Sequence, residues 1–316
     1  MIQMPMVMLP KRNVLIFHLG ALGDFVLTWP LAMALARIHP QSRIIYITHS
    51  QKGKLAEKVL HIESTDVEGG WHHLFGSPAD LPPNAKKMLE GAHSIFSFIS
   101  ADGDAWCQNV KLLAPEAQLI TIQPRPANDD PFAGHVSDFL ATQLSRIPAV
   151  ATAYSQMLRS VQQRGAGYKR SPEERVIAIH PGSGSVEKCW PVKNFIKLTR
   201  KLVKSRHHVR VLIGEVEKER ISPEDMTHFA SVAELIEPKD YLELLFHLGI
   251  ATTVICNDTG PAHLSGIIGT PTIALFGPTD PARWKPLGPH VHVMRADSLD
   301  AISVEAVYDA AAKAAG

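Results

Sequence analysis

Residues 256–280 read CNDTGPAHLSGIIGTPTIALFGPTD, a pattern of strand, turn, helix and strand. The apolar run Thr253–Cys256 predicts that a buried strand leads into the turn. Pro261 is expected at the first helical position, where its missing N–H removes no hydrogen bond. Gly269 is expected to end the helix, and Thr272–Phe276 to form the next strand. The stretch therefore predicts an α/β unit.

The turn in this stretch has the features of an anion site. The backbone N–H groups of Thr259, Gly260 and Ala262 are expected to emerge at the N-terminus of the helix. Such a terminus has unpaired donors and about half a positive charge, which suits a pyrophosphate. Any strand-turn-helix unit can carry Asp, Gly and Pro in its turn, so other segments must decide between an anion site and an ordinary turn.

The rest of the chain continues the alternation of strands and helices. Short runs of branched and aromatic residues predict buried strands at Asn13–His18, Arg43–Thr48, Ser94–Ile99, Gln118–Gln123, Arg175–His180 and Val209–Ile213. Helices are predicted at Phe25–Ile38 with a kink at Pro30, and at Lys52–Leu60, Ala105–Leu113, Val136–Arg146, Ala149–Gln163, Val192–Lys204, Tyr241–Leu248 and Val304–Ala315. This alternation predicts an α/β fold with parallel sheets between layers of helices.

The length of 316 residues suggests two domains. Residues 165–174, GAGYKRSPEE, are polar with Gly and Pro and are interpreted as a linker. Residues 1–164 then form an N-terminal domain and residues 175–316 a C-terminal one, with a cleft between them. The closing helix is expected either in the second domain or packed back on the first. The Pro-rich segment 123–134 is expected to be a surface loop at a strand end, where open α/β sheets bind ligands.

The composition excludes several classes of function. With 45% hydrophobic residues, 20% charged residues and 32 Lys and Arg against 31 Asp and Glu, the chain is globular and does not bind nucleic acid on charge grounds. Three dispersed cysteines, Cys107, Cys189 and Cys256, argue for a reducing compartment. The 16 histidines show no metal-site spacing. The first twelve residues, MIQMPMVMLPKR, are interpreted as a disordered tail or an interfacial anchor, and no segment is expected to span a bilayer.

A second informative segment is His180–Pro191, HPGSGSVEKCWP, which follows a predicted strand and precedes a predicted helix. Its small residues would let the backbone approach a phosphate, and Lys188 can place a cation on it. The segment is neither a Walker loop nor a dinucleotide fingerprint. Alone, it is also consistent with a solvated loop that carries a lysine.

A third segment, Leu22–Phe25, places Asp24 directly after a glycine where a helix begins. An aspartate at this position usually caps the helix, and that interpretation stays open on local grounds. The carboxyl end of the first strand would also let this carboxylate face the cleft.

Together the three segments resemble the motifs of glycosyltransferase family 9, the ADP-heptose:lipopolysaccharide heptosyltransferases. They correspond to NDTGPAHL with GTPTIALFGPTDPxRW, to HPGxxxxxKxWP, and to LGDxxxTxP with Thr28 and Pro30 in register. The resemblance implies two Rossmann-like domains facing a cleft, the GT-B fold. It also implies a general base at Asp24, a lysine on the donor pyrophosphate at Lys188 and a phosphate-binding hydroxyl at Ser183.

The resemblance further implies that Asp258 accepts hydrogen bonds from sugar hydroxyls. Glu217 is expected on the ribose, and His263 is expected to add a hydrogen bond near the diphosphate. Thr259 and Gly260 complete the expected donor site with their N–H groups. Because a lysine and a helix terminus supply positive charge, neither a metal nor another cofactor is expected.

The acceptor side departs from the family pattern. His18 stands where the heptosyltransferases carry a fixed cation, and Arg125 is the only basic residue of the loop at 123–134. We expect these two residues to bind the acceptor. Because the first half is nearly neutral, an anionic lipopolysaccharide acceptor stays open, and other glycans or glycolipids are alternatives.

The expected function is the metal-independent, inverting transfer of a sugar from a nucleotide sugar to a glycan acceptor. ADP-heptose and a lipopolysaccharide core are the substrates that the resemblance implies. The alternatives are a different nucleotide-sugar donor, a nucleotide-sugar epimerase and a non-catalytic nucleotide-sugar binding protein. The expected location is cytoplasmic, either free or peripheral at the inner face of the cytoplasmic membrane.

Overall fold

The computed structural model describes residues 12–127 and 130–315. The N-terminal tail or anchor predicted from the sequence lies outside the described residues except for Arg12, and so do two residues of the predicted surface loop, Asn128 and Asp129. Within the described ranges, no helix is long and apolar enough to cross a bilayer.

The first half of the chain forms five strands and seven α-helices within residues 12–127 and 130–164. They are β1 Asn13–Phe17, α1 Leu22–Leu27, α2 Trp29–Ile38, β2 Arg43–Thr48, α3 Ser50–Leu60, β3 Glu63–Asp66, α4 Pro83–Glu90, β4 Ala92–Ser97, α5 Ala105–Leu113, β5 Gln118–Thr121, α6 Val136–Leu144 and α7 Pro148–Arg164. Short 3-10 helices lie at Trp71–Phe75 and Pro78–Asp80. The strands are parallel, in the order β3-β2-β1-β4-β5.

The second half forms six strands within the described range 165–315. The elements are β6 Val176–His180, α8 Val192–Lys204, β7 His208–Leu212, α9 Glu215–Arg220, α10 Pro223–Ala230, β8 Glu234–Ile236, α11 Tyr241–Ile250, β9 Thr253–Asn257, α12 Gly260–Ile267, β10 Thr272–Phe276, α13 Pro281–Trp284, β11 Val291–Arg295 and α14 Val304–Ala315. Its 3-10 helices lie at Val186–Lys188 and Leu299–Ala301. The parallel strands have the order β11-β10-β9-β6-β7-β8.

Both strand orders are those of a Rossmann fold, so each sheet reverses its winding at one point. That point lies between β1 and β4 in the first sheet and between β6 and β9 in the second. Open α/β sheets bind ligands at the carboxyl ends of the strands at such points. The predicted parallel α/β fold is confirmed, and the topology directs attention to the loops after β1, β6 and β9.

The predicted helix at Phe25–Ile38 is two helices in the structure. The first begins three residues earlier, at Leu22, and the break lies at Thr28 rather than at Pro30. Pro30 occupies the second position of α2, where a proline removes no helical hydrogen bond. The Thr28 hydroxyl donates to the Phe25 carbonyl at 2.7 Å, so the Thr28 side chain binds the break to the last turn of α1.

The two sheets share part of their hydrophobic core. One cluster of buried side chains draws on strands and helices of both halves, including Val14 and Leu35 from the first and Val254 and Leu264 from the second. Helix α1 packs against α12, and α3 packs against α11. Two further clusters cover the outer faces of the two sheets. The cleft is thus closed at its base by apolar contacts.

The segment that connects the two sheets is bound to the half that contains the second sheet. Gly165 has a φ of +73°, which ends α7, and the Ala166 N–H donates to the Ile267 carbonyl at 2.7 Å. The Arg170 guanidinium donates to the carbonyls of Gly269 and Ala251. The residues that follow Gly165 are therefore bound to the second half.

The closing helix α14 packs on the second half. It contacts α8, β9 and β10, and its Val307 and Ala311 side chains are buried in the outer core cluster of the second sheet. Of the two positions expected for this helix, it therefore occupies the one in the second half, where its apolar stripe is covered.

Candidate active site

Three loops meet between the two sheets, and each follows a strand at a reversal of winding. They are residues 18–21 after β1, 181–191 after β6 and 258–259 after β9. His180 pairs with Cys256 across neighbouring strands, so the second and third loops emerge side by side. All three motifs found in the sequence therefore border one cleft.

A cavity of about 720 Å³ occupies this cleft. It is lined by Ala21, Leu22, Gly23, Gln51, His180, Ser183, Gly184, Ser185, Lys188, Leu212, Ile213, Gly214, Glu215, Val216, Glu217, Pro238, Lys239, Asp240, Tyr241, Leu244, Asp258, Thr259, Gly260 and Pro261. The volume lies within the range of about 300–1,000 Å³ that small-molecule sites occupy. The lining combines polar groups of the three loops with the apolar side chains of Leu212, Val216, Tyr241 and Leu244.

An ion pair joins two of the predicted donor-binding residues. The Lys188 Nζ atom lies 3.1 Å from Asp258 Oδ2, and the Asp258 side chain is only 7% exposed. The Ser183 hydroxyl donates to the Asp258 backbone carbonyl at 3.3 Å. The structure thus brings all three residues to one wall of the cavity, with the lysine as the cation at that wall.

The N-terminus of α12 forms the adjoining wall. The helix begins at Gly260, so Pro261 occupies the second helical position rather than the predicted first one. Thr259 precedes the helix in an extended conformation and makes no side-chain cap, and its hydroxyl has no hydrogen-bond partner among the residues that the structure describes. The N–H groups of the first turn are therefore left uncapped by this side chain, as an anion site requires.

Asn257 fixes the geometry of this wall, although no role was predicted for it. Its side chain is fully buried, donates to the carbonyls of Pro181 and Gly182 at 2.8 and 3.1 Å, and accepts the Trp190 N–H at 2.9 Å. Both ends of the 181–191 loop are thereby tied to the end of β9. An asparagine at the end of an apolar strand, where its amide would be buried and would need partners, is the sequence signal that could have identified it.

Arg220 supports the same loop from α9. Its guanidinium donates to the carbonyls of Ser183 and Gly184 at 2.6 and 3.1 Å. Because both carbonyls are held from behind by a cation, the loop has a fixed conformation on the side of the cavity.

Glu217 lines the cavity, but its carboxylate already has protein partners. Oε2 accepts the Gly214 N–H at 2.8 Å and lies 3.7 Å from His180 Nε2. A Cβ atom on Gly182 would lie 1.7 Å from Oε1, so only glycine fits there. Burial lowers the pKa of His180, and the glutamate opposes that shift. Glu217 is thus a packed wall residue, and its predicted contact with a ribose stays a prediction.

His263 lies behind Asp258 on α12. Its side chain is 6% exposed, and its Nε2 atom lies 4.0 Å from Asp258 Oδ1, which is too long for a hydrogen bond. Burial lowers the pKa of His263 to about 4, so the ring is neutral at pH 7. The edge of the ring faces Gly23 of the first half, because a Cβ atom there would lie 2.9 Å from Cδ2.

Asp24 approaches this site from the first half. It is the third residue of α1, and the nearby backbone N–H of Ala21 lowers the pKa of its carboxylate. Burial raises the pKa of Asp24, while the positive charges of Arg125, Lys188 and Lys52 oppose the shift. A carboxylate with a raised pKa is a better proton acceptor, and the influence of Lys188 reaches it from the opposite half.

A small recess lies beside Asp24. It is lined by Asp24, Leu27, Thr28, Phe98, Pro124, Val136 and Leu140. Most of these side chains are apolar, so the recess offers shape and little charge.

The structure overturns the expectation for His18. Its side chain is 1% exposed and packs between the rings of Phe25 and Phe98, and burial lowers its pKa to about 3. A buried neutral imidazole can neither contact an acceptor in the cleft nor supply a fixed cation. Arg125 is exposed and close enough to Asp24 to affect its pKa, so its predicted role in acceptor binding stays a prediction.

The cation that lies close to the first loop is Lys52, which the sequence did not single out. Its Nζ atom donates to the carbonyls of Leu19 and Gly20 from the first turn of α3. Within the described ranges, no three His, Cys, Asp or Glu side chains are grouped so that they could hold a metal ion.

Comparison with known proteins identifies the family. The sequence profile of glycosyltransferase family 9 (heptosyltransferase) matches residues 139–309, which include the loops after β6 and β9. The chain belongs to glycosyltransferase family 9. It is therefore a glycosyltransferase, and its two Rossmann-like halves around a cleft are the GT-B architecture of these enzymes.

Individual relatives agree with this family 9 assignment. The lipopolysaccharide core heptosyltransferase OpsX of Haemophilus influenzae is 22% identical over 301 residues, covering 90% of this chain and 84% of the relative. Among solved structures, the ADP-heptose lps heptosyltransferase II of E. coli has a TM-score of 0.70 at 15% identity, covering 96% of this chain and 98% of that one. The E. coli heptosyltransferase WaaC with ADP has a TM-score of 0.68 at 14% identity, covering 96% and 99%.

Proposed function

We propose that this family 9 glycosyltransferase transfers a heptose from ADP-heptose to a lipopolysaccharide-type glycan, with inversion at the anomeric carbon and without a divalent metal. The observation that carries the proposal is that Leu22 and Gly23, which precede Asp24 on α1, line the same cavity as the paired Lys188 and Asp258 side chains of the other half. It links a proton acceptor in one half to a cation for a leaving diphosphate in the other.

The donor follows from the cavity and from the relatives. The apolar lining residues Leu212, Tyr241 and Leu244 suit a nucleobase, and Lys188 with the α12 N-terminus suits a diphosphate. The solved relatives named above are an ADP-heptose heptosyltransferase and a heptosyltransferase with ADP bound. ADP-heptose is therefore the donor that we propose, with Glu217 near the ribose and Ser183 near the phosphates.

The reaction is a single displacement. Asp24 accepts the proton of the acceptor hydroxyl as its oxygen forms a bond to the anomeric carbon of the sugar. The bond from that carbon to the phosphate oxygen breaks, and ADP leaves with the electron pair. One base on the side opposite the leaving group gives inversion, and proton transfer of this kind contributes roughly 10²- to 10⁴-fold to the rate.

The leaving group gains negative charge as its bond to the sugar breaks. Lys188 and the N–H groups at Thr259 and Gly260 supply positive charge to it, which takes the place that a metal has in other transferases. Asp258 lies beside the lysine and is proposed to accept hydrogen bonds from sugar hydroxyls. The buried neutral ring of His263 backs this carboxylate.

The acceptor is proposed to enter beside Asp24, with Arg125 at the rim. A lipopolysaccharide core is the acceptor class that the name of the OpsX relative supports. An enzyme with such an acceptor would work at the inner face of the cytoplasmic membrane, where peripheral contact would bring it to its lipid-linked substrate.

The test begins with the donor. Thermal shift with a panel of nucleotide sugars should give the largest stabilisation with ADP-heptose. Transfer is then measured as ADP release and as heptose on a heptose-deficient lipopolysaccharide core, with and without EDTA. We expect Asp24→Asn to abolish transfer and to change the affinity for ADP by no more than a few-fold. Full transfer by this variant would refute Asp24 as the base, and preference for another nucleotide sugar would refute the donor.

A further inference from the structure

Lys52 lies in an unfavourable place for a lysine. It is the third residue of α3, and the first turn of a helix carries partial positive charge. The residue is nevertheless buried, with 6% of its surface exposed. Its ammonium donates to the Gly20 carbonyl at 2.5 Å and to the Leu19 carbonyl at 3.3 Å. Burial lowers the pKa of Lys52, and the negative charge of Asp24 opposes that shift.

A single peptide group joins this lysine to Asp24. Its carbonyl oxygen belongs to Gly20 and accepts from Lys52, while its N–H belongs to Ala21 and lowers the pKa of the nearby Asp24 carboxylate. Because the peptide is a rigid plane, a cation that fixes its oxygen also fixes the direction of its N–H. A cation bound to the carbonyl also polarises the peptide, which makes the N–H a stronger partner for a carboxylate.

The other charges around Asp24 are less constrained. Arg125 is exposed on a loop, and Lys188 belongs to the other half and is paired with Asp258. His18, which begins the loop after β1, is neutral. A Cβ atom on Gly20 would lie 3.0 Å from His18 Cε1 and 3.3 Å from Asp24 Cβ, so the loop packs closely against Asp24.

We propose that Lys52 is the positioning residue for Asp24 and acts on it through the Gly20–Ala21 peptide. This assigns to α3 the fixed cation that His18 cannot supply. Lys52 orients one carboxylate oxygen towards the Ala21 N–H and leaves the other to accept a proton, and it keeps the carboxylate ionised where burial disfavours the charge. The catalytic consequence rests on the proposed function, whereas the effect on the Asp24 carboxylate does not.

The test is a titration of Asp24 that needs no acceptor. Protein labelled with ¹³C-aspartate gives carboxyl signals, and the Asp24 signal is the one that disappears in Asp24→Asn. We expect Lys52→Met to move its titration midpoint up by about one pH unit, because a nearby cation is removed. Lys54→Met, on the exposed side of the same helix, should leave the midpoint unchanged. Lys52→Arg keeps the cation and should keep the midpoint close to that of the unmodified protein.

In the transfer assay, the midpoint of the acid limb in the pH profile of kcat/KM should move to higher pH by the same amount. The affinity for ADP should be retained. If Lys52→Met does not fold, Lys52→Gln, which can still donate but carries no charge, takes its place and should also raise the midpoint. An Asp24 midpoint equal to that of the unmodified protein in the folded Lys52 variants would overturn the proposal. Normal transfer by Asp24→Asn would instead refute the proposed function and leave the titration result standing.

Discussion

The Lys188 ammonium lies 3.1 Å from Asp258 Oδ2 and joins the loop after β6 to the turn after β9. Without a donor, the lysine neutralises a carboxylate that is almost completely buried. A diphosphate in the cavity would compete for the same ammonium. Donor binding then exchanges one partner of Lys188 for another, and Asp258 becomes free to accept hydrogen bonds from sugar hydroxyls.

Replacing Lys188 with Ala should weaken ADP binding. Loss of a charge-assisted hydrogen bond costs about 1.5–3 kcal/mol, which corresponds to roughly 10- to 150-fold in Kd. Calorimetric titration of ADP measures the change, and Lys197→Ala, on an exposed position of α8, is the matched control. EDTA should not alter ADP binding. An unchanged Kd in Lys188→Ala, or binding that EDTA abolishes and Mg²⁺ restores, would contradict the proposed diphosphate site.

Asn257→Ala should destabilise the second half and loosen the 181–191 loop. The substitution leaves two carbonyls and one N–H without the partners that they have in the structure, and each unsatisfied buried group costs about 1–3 kcal/mol. We expect a lower Tm and faster amide exchange confined to residues around Trp190. Asn84→Ala, on the exposed face of α4, should change neither. A normal Tm with normal exchange would mean that the loop is held by other contacts.

Asp24→Asn should stabilise the protein at neutral pH. Burial raises the pKa of Asp24 above its ordinary value, so the folded state binds this proton more tightly than the unfolded state. Stability from this group is therefore lost as pH rises from the usual aspartate pKa of about 3.9 through the folded pKa. We expect a gain in Tm of roughly 1–3 °C at pH 7.5 that narrows towards pH 5. The exposed Asp309→Asn is the control, and a loss of stability at pH 7.5 would contradict the argument.

The central strands were predictable from the sequence, and three of the four edge strands were not. Strands buried on both faces form apolar runs, and β2 and β10 have their predicted bounds. The unpredicted strands β3, β8 and β11 all lie towards the outside of their sheets. Glu63–Asp66 reads ESTD and Val291–Arg295 reads VHVMR, so neither is a continuous apolar run. Half-exposed strands contain polar residues, which removes the signal.

The candidate site residues that lie in sequence motifs could be predicted from the sequence. The residues that hold their loops in place could not. Lys52 and Arg220 act on carbonyls of loops more than thirty residues away in the chain, and no local pattern encodes such a contact. His18 was placed in the acceptor site by its position in a motif alone. Its burial comes from the packing of Phe25 and Phe98, which only the tertiary structure reveals.

Two glycines mark where the halves touch beside the site. A Cβ atom on Gly260 would lie 2.9 Å from the Leu22 Cβ atom, and one on Gly23 would lie 2.9 Å from His263 Cδ2. Real Cβ atoms do not approach so closely, so α1 and α12 meet at this distance because both residues lack a side chain. The separation of Asp24 from the diphosphate site is set by this contact.

Gly23→Ala should hold the halves apart without harming either one. Alanine favours a helix over glycine by about 0.5–1 kcal/mol, so α1 itself is not weakened. The added methyl pushes against the buried His263 ring, and a misplacement of about 1 Å costs roughly 10²-fold in rate. We expect a larger radius of gyration by small-angle scattering with ADP bound, and transfer reduced by about that factor. Gly76→Ala, in open space on the first half, should leave both unchanged. A Gly23→Ala enzyme with the original radius and full transfer would mean that the ring of His263 moves aside and that the glycine contact does not set the distance between base and diphosphate.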